Sequence, residues 1–232
     1  MKPIFTTLAV LFTIYSQAQS DSVTKYIVDY KLEYDAIYPQ DSAKNHKAIY
    51  YISSTANNFF ATARPDKEGK LKLYFTDNDG KSFKGNVTPN DLASIEKIGI
   101  AQKTFYELTN PYKYQINNYD YFAKGDTIID GHKCSGYSLR STKPKKEKRK
   151  KLIHEMYYID TIAKMLPLLI EPTAYEIWKA RKNIPTGLLV QKDAFKIDGT
   201  LFYTEKLVAV TPVNFTISLI GDVTTAYMIN VH

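Results

Sequence analysis

The chain has 232 residues, enough for one ordinary domain with a core of its own. Its aromatic content of 13% is mostly tyrosine, 19 residues against 11 phenylalanines and one tryptophan, which fits pleated, half-buried strands. The net charge of +7 is local: Lys2 lies in a leader, and the remaining +6 sits in 143–151, which holds seven bases and one acid. The rest of the chain is neutral, so this reads as a neutral domain with one basic loop, and the leader's implication of export disfavours a nucleic-acid partner.

Residues 1–18 read as a secretory signal peptide: Lys2 supplies the positive start, Ile4 to Ile14 the apolar run, and Ser16-Gln17-Ala18 the small-x-small cleavage site. The mature chain, 19–232, is expected to begin at Gln19 as one β-rich domain, exported to the periplasm or secreted, and soluble after cleavage. No cysteine lies near that point for lipoprotein acylation, and no later run is long enough to span a bilayer.

Tyr26, Val28, Tyr30, Leu32 and Tyr34 alternate with Asp29, Lys31, Glu33 and Asp35, the pattern of a long half-buried strand. Ala48–Ser53, Asn58–Thr62, Leu71–Phe75 and Ser82–Val87 read as further strands, the last two joined through Asp77-Asn-Asp-Gly80. Thr88-Pro-Asn-Asp91 predicts a helix start, with Leu92, Ile95 and Ile98 or Gly99 on one face. Tyr112–Phe122 reads as a strand. Asp130-Gly131 predicts a type I′ hairpin turn between Asp126 and Arg140, and Asp198-Gly199 repeats that signature. Lys143–Lys151 is expected to be a mobile, exposed loop, because like charges repel and Pro144 cannot join a ladder. A strand follows from His154, then Met165–Ile170 crosses to a short helix over Pro172–Lys182. Gly187–Ile197, Leu201–Val210 and Asn214–Ile220 read as strands, and Gly221–His232 as an edge strand or a frayed end.

Hairpin-linked strands with two short helices predict a mainly β chain with minor α. Ile128-Ile-Asp-Gly131 with Cys134 and Tyr137, then Met156-Tyr-Tyr-Ile159, Ile184–Val190 and Phe202–Val210, resembles the GLPGLI-like group of exported proteins over roughly the second half of the chain. That resemblance implies a LolA-type half-barrel, a curved antiparallel sheet or unclosed β-barrel whose concave face is covered by helices and can hold an acyl chain.

Chemistry-bearing motifs are few. His46, His132, His154 and His232 show no metal-ligand spacing, and no phosphate loop, nucleophile elbow or paired catalytic carboxylates stand out, so neither metal, cofactor nor enzymatic activity is expected. Cys134, the only cysteine, is expected buried on a strand. Candidate anion contacts are Lys143, Lys145, Lys146, Lys148, Arg149, Lys150 and Lys151, facing lipid head groups or surface polysaccharide. Asp21-Ser-Val, Asp41-Ser-Ala, Asp126-Thr-Ile and Asp160-Thr-Ile share a pattern that some Gram-negative lineages O-glycosylate, with Ser22 and Ser42 in polar segments as the better candidates. Asn86-Val-Thr88 and Asn214-Phe-Thr216 match the eukaryotic N-glycosylation sequon. The expected function is a binding protein of the cell envelope that holds a hydrophobic ligand or an acylated partner. The alternative is a structural or envelope-interaction module without a ligand cavity, contacting anionic surfaces through 143–151. The sequence leaves the oligomeric state open.

Overall fold

The alternation after Thr24 forms strand β1 (Lys25–Ile37), buried at Tyr26, Val28, Leu32, Tyr34 and Ala36. The computed structural model describes residues 24–65, 71–87, 96–101, 106–107, 112–150 and 154–220. The leader with Gln19 and Ser22, the helix start at Thr88–Asp91, Lys151 and the end after Ile220 lie outside the described residues.

Chain order continues with β2 (His46–Ile52), β3 (Phe59–Pro65), β4 (Leu71–Asp77), β5 (Lys81–Val87), β6 (Lys97–Ala101), β7 (Tyr106–Glu107), β8 (Tyr119–Ile129) and β9 (His132–Ser141). Helix α1 (Pro144–Lys150), β10 (His154–Asp160), helix α2 (Pro172–Arg181), β11 (Leu188–Phe195) and β12 (Leu201–Ile220) complete it. The strands form one sheet in the order β7-β5-β4-β3-β2-β1-β12-β11-β10-β9-β8, with β6 against β12. The ends β7 and β8 are not joined, so the sheet is unclosed, mainly β as expected.

The sheet is organised on β12. The expected strands Leu201–Val210 and Asn214–Ile220 are one strand of 20 residues. Pro212 falls at a register shift against β1, where an extra residue in β12 makes a missing N–H harmless. Along its other edge β12 pairs first with β11 (Leu201–Lys206) and then with β6 (Thr216–Ile220). This exchange of neighbours separates two apolar clusters. One gathers Tyr26, Phe59, Phe75, Ile98 and Ile217; the other gathers Leu32, Tyr34, Tyr157, Leu169 and Ile177. The β6 pairing is parallel, within a sheet otherwise antiparallel. It also corrects the helical reading of Ile98 and Gly99, which are strand residues opposite Ile217 and Ser218.

Turn chemistry follows the sequence closely at one hairpin and differently at another. Asp130 and Gly131 both have positive φ, 48° and 86°, as a type I′ turn requires. In the β11–β12 connection only Gly199 does, at 84°. Its N–H donates to the Lys196 carbonyl at 2.9 Å and the Lys196 N–H to the Thr200 carbonyl at 2.9 Å, which makes a three-residue loop with a glycine bulge.

Two further expectations are corrected. Tyr112–Phe122 is a strand only from Tyr119, because Lys113–Asn117 coils into a 3-10 turn. The basic segment is helix α1, not a loop. Pro144 takes the first helical position, where its missing N–H costs nothing, and Lys, Glu and Arg are strong helix formers. Glu147 in the first turn favours the positive end of the helix and is buried, and Lys143 Nζ donates to Asn118 Oδ1 at 2.8 Å.

Candidate functional site

Helix α2 starts where Glu171-Pro172 forces an extended residue before a helical one and ends at Lys182, whose left-handed backbone lets its N–H donate to the Trp178 carbonyl at 2.7 Å. Five consecutive residues, Ala174 to Trp178, are buried, so the helix is covered on all sides rather than along one stripe. Tyr121 Oη on β8 donates to the Ala174 carbonyl at 3.2 Å, Arg181 binds Asp120 on β8, and Lys179 binds Asp79 in the β4–β5 turn. The crossing segment before α2 adds Met165, Leu168 and Leu169 to the same cluster, anchored by the Leu166 N–H on the Ser54 carbonyl at 2.8 Å.

Beneath α2 the sheet carries charge where its phase calls for apolar residues. In register, Tyr137, Tyr157, Lys192, Glu205 and Ala36 form one cross-strand row, with Leu139, Glu155, Ala194 and Tyr203 beside it. Lys192 is 1% exposed. Its Nζ lies 3.2 Å from Glu205 Oε2, 3.8 Å from Glu171 Oε1 and 5.2 Å from the Tyr203 ring centre, without closing a well-formed hydrogen bond among the described residues. Burial alone would lower its pKa; Glu205, Glu155, Tyr203 and Glu171 outweigh that and hold the ammonium well above its ordinary value. Burial raises the Glu155 carboxyl, against the pull of Lys192. Tyrosine hydroxyls complete the network: Tyr50 donates to Glu205 Oε1 at 2.8 Å, Tyr157 to Glu155 Oε2 at 2.6 Å, and Tyr34 to the Leu189 carbonyl at 2.6 Å. Burial pushes Tyr203 up to about 12, so it stays protonated.

A cavity of about 340 Å³ opens beside this network, between the sheet, the start of α2 and the 3-10 turn. Leu139, Ala194, Tyr119 and Tyr203 give it an apolar and aromatic wall, and Glu155 and Glu171 a polar one. Its volume is at the lower end for small-molecule sites. The arrangement can bury a short apolar body and offer the carboxylates of Glu155 and Glu171 to a polar end, with the Lys192 ammonium buried behind them.

No family model and no curated protein matches the chain. Among solved structures, the Pseudomonas aeruginosa MucA/MucB complex is similar with a TM-score of 0.33 and 10% identity, over 79% of this chain and 51% of that one. A DUF1329 family protein from Desulfovibrio piger follows at 0.28 and 8%, over 83% and 87%. A LolA superfamily protein from Nitrosomonas europaea gives 0.26 and 6%, over 81% and 85%. The chain spans about half the length of the MucB chains it matches. Scores of this size do not establish a shared fold, and the site stands on its own residues.

The residues singled out from sequence lie elsewhere. Lys143, Lys145 and Lys148 are exposed on or next to α1, and Lys146, Arg149 and Lys150 belong to the same helix. Ser42 is exposed in a 3-10 turn. His132 Nδ1 lies 2.8 Å from Asp160 Oδ2, and His154 stacks on Phe195. Among the described residues no group of three His, Cys, Asp or Glu could hold a metal ion, and no helix is long and apolar enough to cross a membrane. Cys134 is 1% exposed on β9, as expected, and burial followed by Asp160 pushes its thiol up. Sequence reasoning missed Glu155, Lys192 and Glu205. Their signal was phase: Lys192 shares the phase of Val190 and Ala194, Glu155 that of Tyr157 and Ile159, and Glu205 that of Tyr203 and Leu207.

Proposed function

We propose that this is an exported, non-enzymatic binding protein of the cell envelope that takes a small amphipathic ligand, an acyl chain or an acylated partner among them, into the cavity beside α2. The observation that carries the reading is that cavity, with Leu139, Ala194 and tyrosine rings on one wall and Glu155 and Glu171, backed by Lys192, on the other. The charged wall argues against a purely hydrocarbon ligand, since desolvating it without a polar partner costs free energy. Export after cleavage near Gln19, membership of the GLPGLI-like group and O-glycosylation of Ser22 and Ser42 belong to the same proposal and rest on the sequence. A second reading is a cavity-independent envelope module that contacts anionic surfaces through 143–151; the exposure of Lys143, Lys145 and Lys148 on or next to α1 favours it.

The test is native mass spectrometry of the purified protein together with uptake of fluorescent cis-parinaric acid. The parent should retain a lipid adduct or take up the probe. Thr173→Trp, at the half-buried rim of the cavity, should abolish uptake while leaving the unfolding transition in place. A parent with neither adduct nor uptake overturns the first reading.

A further inference from the structure

The strands that carry the α2 cavity present a second one on their other face. Side chains alternate across a strand, and here the alternation sorts neighbours: Leu139, Glu155 and Ala194 line the first cavity, while Ser138, Arg140, His154, Met156 and Phe195 line the second. This second cavity, about 540 Å³, is floored by Met156, Tyr158, Phe195 and Ile197 and bordered by α1. Its charged rim is built, not incidental. Lys124 falls at the register shift of β8 against β9, next to Gly125 at a φ of +89°, and a bulge of this kind re-aims a side chain. Arg140 is laid over the Phe122 ring at 4.8 Å. His154 is stacked on Phe195 at 5.3 Å; burial first, then Arg140 and Lys124, lower its pKa against Glu147, which leaves a neutral imidazole with a hydrogen bond to give. Exposed Lys145 and Lys148 on α1 add positive charge beside the rim, while Glu147, buried, is the one carboxylate among the described lining residues. Asp193, on the same face, is engaged by Thr204 and Gln191.

We infer that the cavity bordered by α1 binds a phosphate-bearing ligand, with Lys124 and Arg140 holding the phosphate, His154 donating a hydrogen bond to it, and the apolar floor taking the organic body. Arg forms the forked pairs that phosphate favours, and a bare phosphate would fill only part of the volume, which is why an organic phosphate fits. The inference does not depend on a ligand in the α2 cavity; it shares with the anionic-surface reading only the sign of the charge.

Calorimetric titration with soluble glycerol 3-phosphate, and retention on phosphatidylglycerol vesicles with phosphatidylcholine vesicles as control, separate a free metabolite from a lipid head group. Binding of either probe should weaken at least about tenfold in Lys124→Gln and in Arg140→Gln, and should tighten in Glu147→Gln, with the unfolding transition of each variant showing that the sheet is intact. Lys145→Gln with Lys148→Gln should change retention on vesicles far less. Two results overturn the inference: no binding of either probe by the parent, or vesicle retention that is lost in the α1 variant and unchanged in the two rim variants, which would make the contact a helix surface without a site.

Discussion

Replacing Lys192 by Met tests the buried charge network directly. Lys192 is 1% exposed and Glu205 9%. At 3.2 Å and an effective dielectric constant near 20, the attraction to Glu205 is about 5 kcal/mol. Part of that only offsets the cost of burying the ammonium, several kcal/mol for a buried ion. The methionine removes the cation and leaves the buried Glu205 and its neighbour Glu155 without a counter-ion, so a loss of about 3–5 kcal/mol at pH 7 is expected. For a chain of this size that lowers Tm by roughly 6–20 °C. The double variant Lys192→Met with Glu205→Leu should recover much of the loss, giving a coupling of at least about 1.5 kcal/mol in the cycle. The pH dependence has a definite sign. The Lys192 pKa is raised in the folded state, so the parent keeps this contribution below the ordinary value of 10.5 and loses it as pH rises above that. The Glu155 pKa is also raised, so folding takes up protons there, and this group favours the folded state progressively less as pH climbs from 4.5. Without the ammonium Glu155 protonates more readily, and the deficit of the single variant should shrink between pH 7 and pH 5. Urea unfolding at both pH values is the assay. A loss below about 1 kcal/mol at pH 7, or single losses that simply add in the double variant, would refute the network.

Gly187→Ala should cost about 2–3 kcal/mol in the same assay, because a Cβ there would stand 2.4 Å from the Asp160 carbonyl oxygen. Gly199→Ala, where nothing lies within 4 Å, should cost only the left-handed backbone, about 1 kcal/mol; equal losses would mean the β10 contact is not tight. Cys134 should react with a thiol reagent at least about a hundredfold more slowly than glutathione in the native state, since labelling requires local opening; labelling at the free rate would contradict its burial.

Several strands of this sheet were legible because they are half-buried, and half-burial writes a period of two into β1 and β9. The turn at Asp130-Gly131 and helix α2 were legible because left-handed backbone and the first helical position restrict residue choice. Three kinds of feature were not. Parallel pairing, as in β6 with β12, has no local signature, since only the distant strand defines it. Helix α1 was hidden by weighing charge repulsion above helix propensity and by treating Pro144 as a breaker rather than a first residue. The pair Lys192–Glu205 was present in the strand phase, yet a lysine in phase with apolar neighbours reads as a flaw until the facing strand supplies the carboxylate. The anion candidates were found from charge, but Lys124, Arg140 and His154 were not, because only the register of β8, β9 and β10, with the bulge at Lys124, sets them side by side.

Leu139 stands between Ser138 and Arg140, and Glu155 between His154 and Met156, so the two cavities share a partition one strand thick. A pleated partition cannot give way on one side alone. Enlarging a side chain at Leu139 strains the backbone that carries Arg140. A substitution that reshapes either chamber is therefore expected to be felt across the sheet, with no relay between them beyond the thickness of the chain.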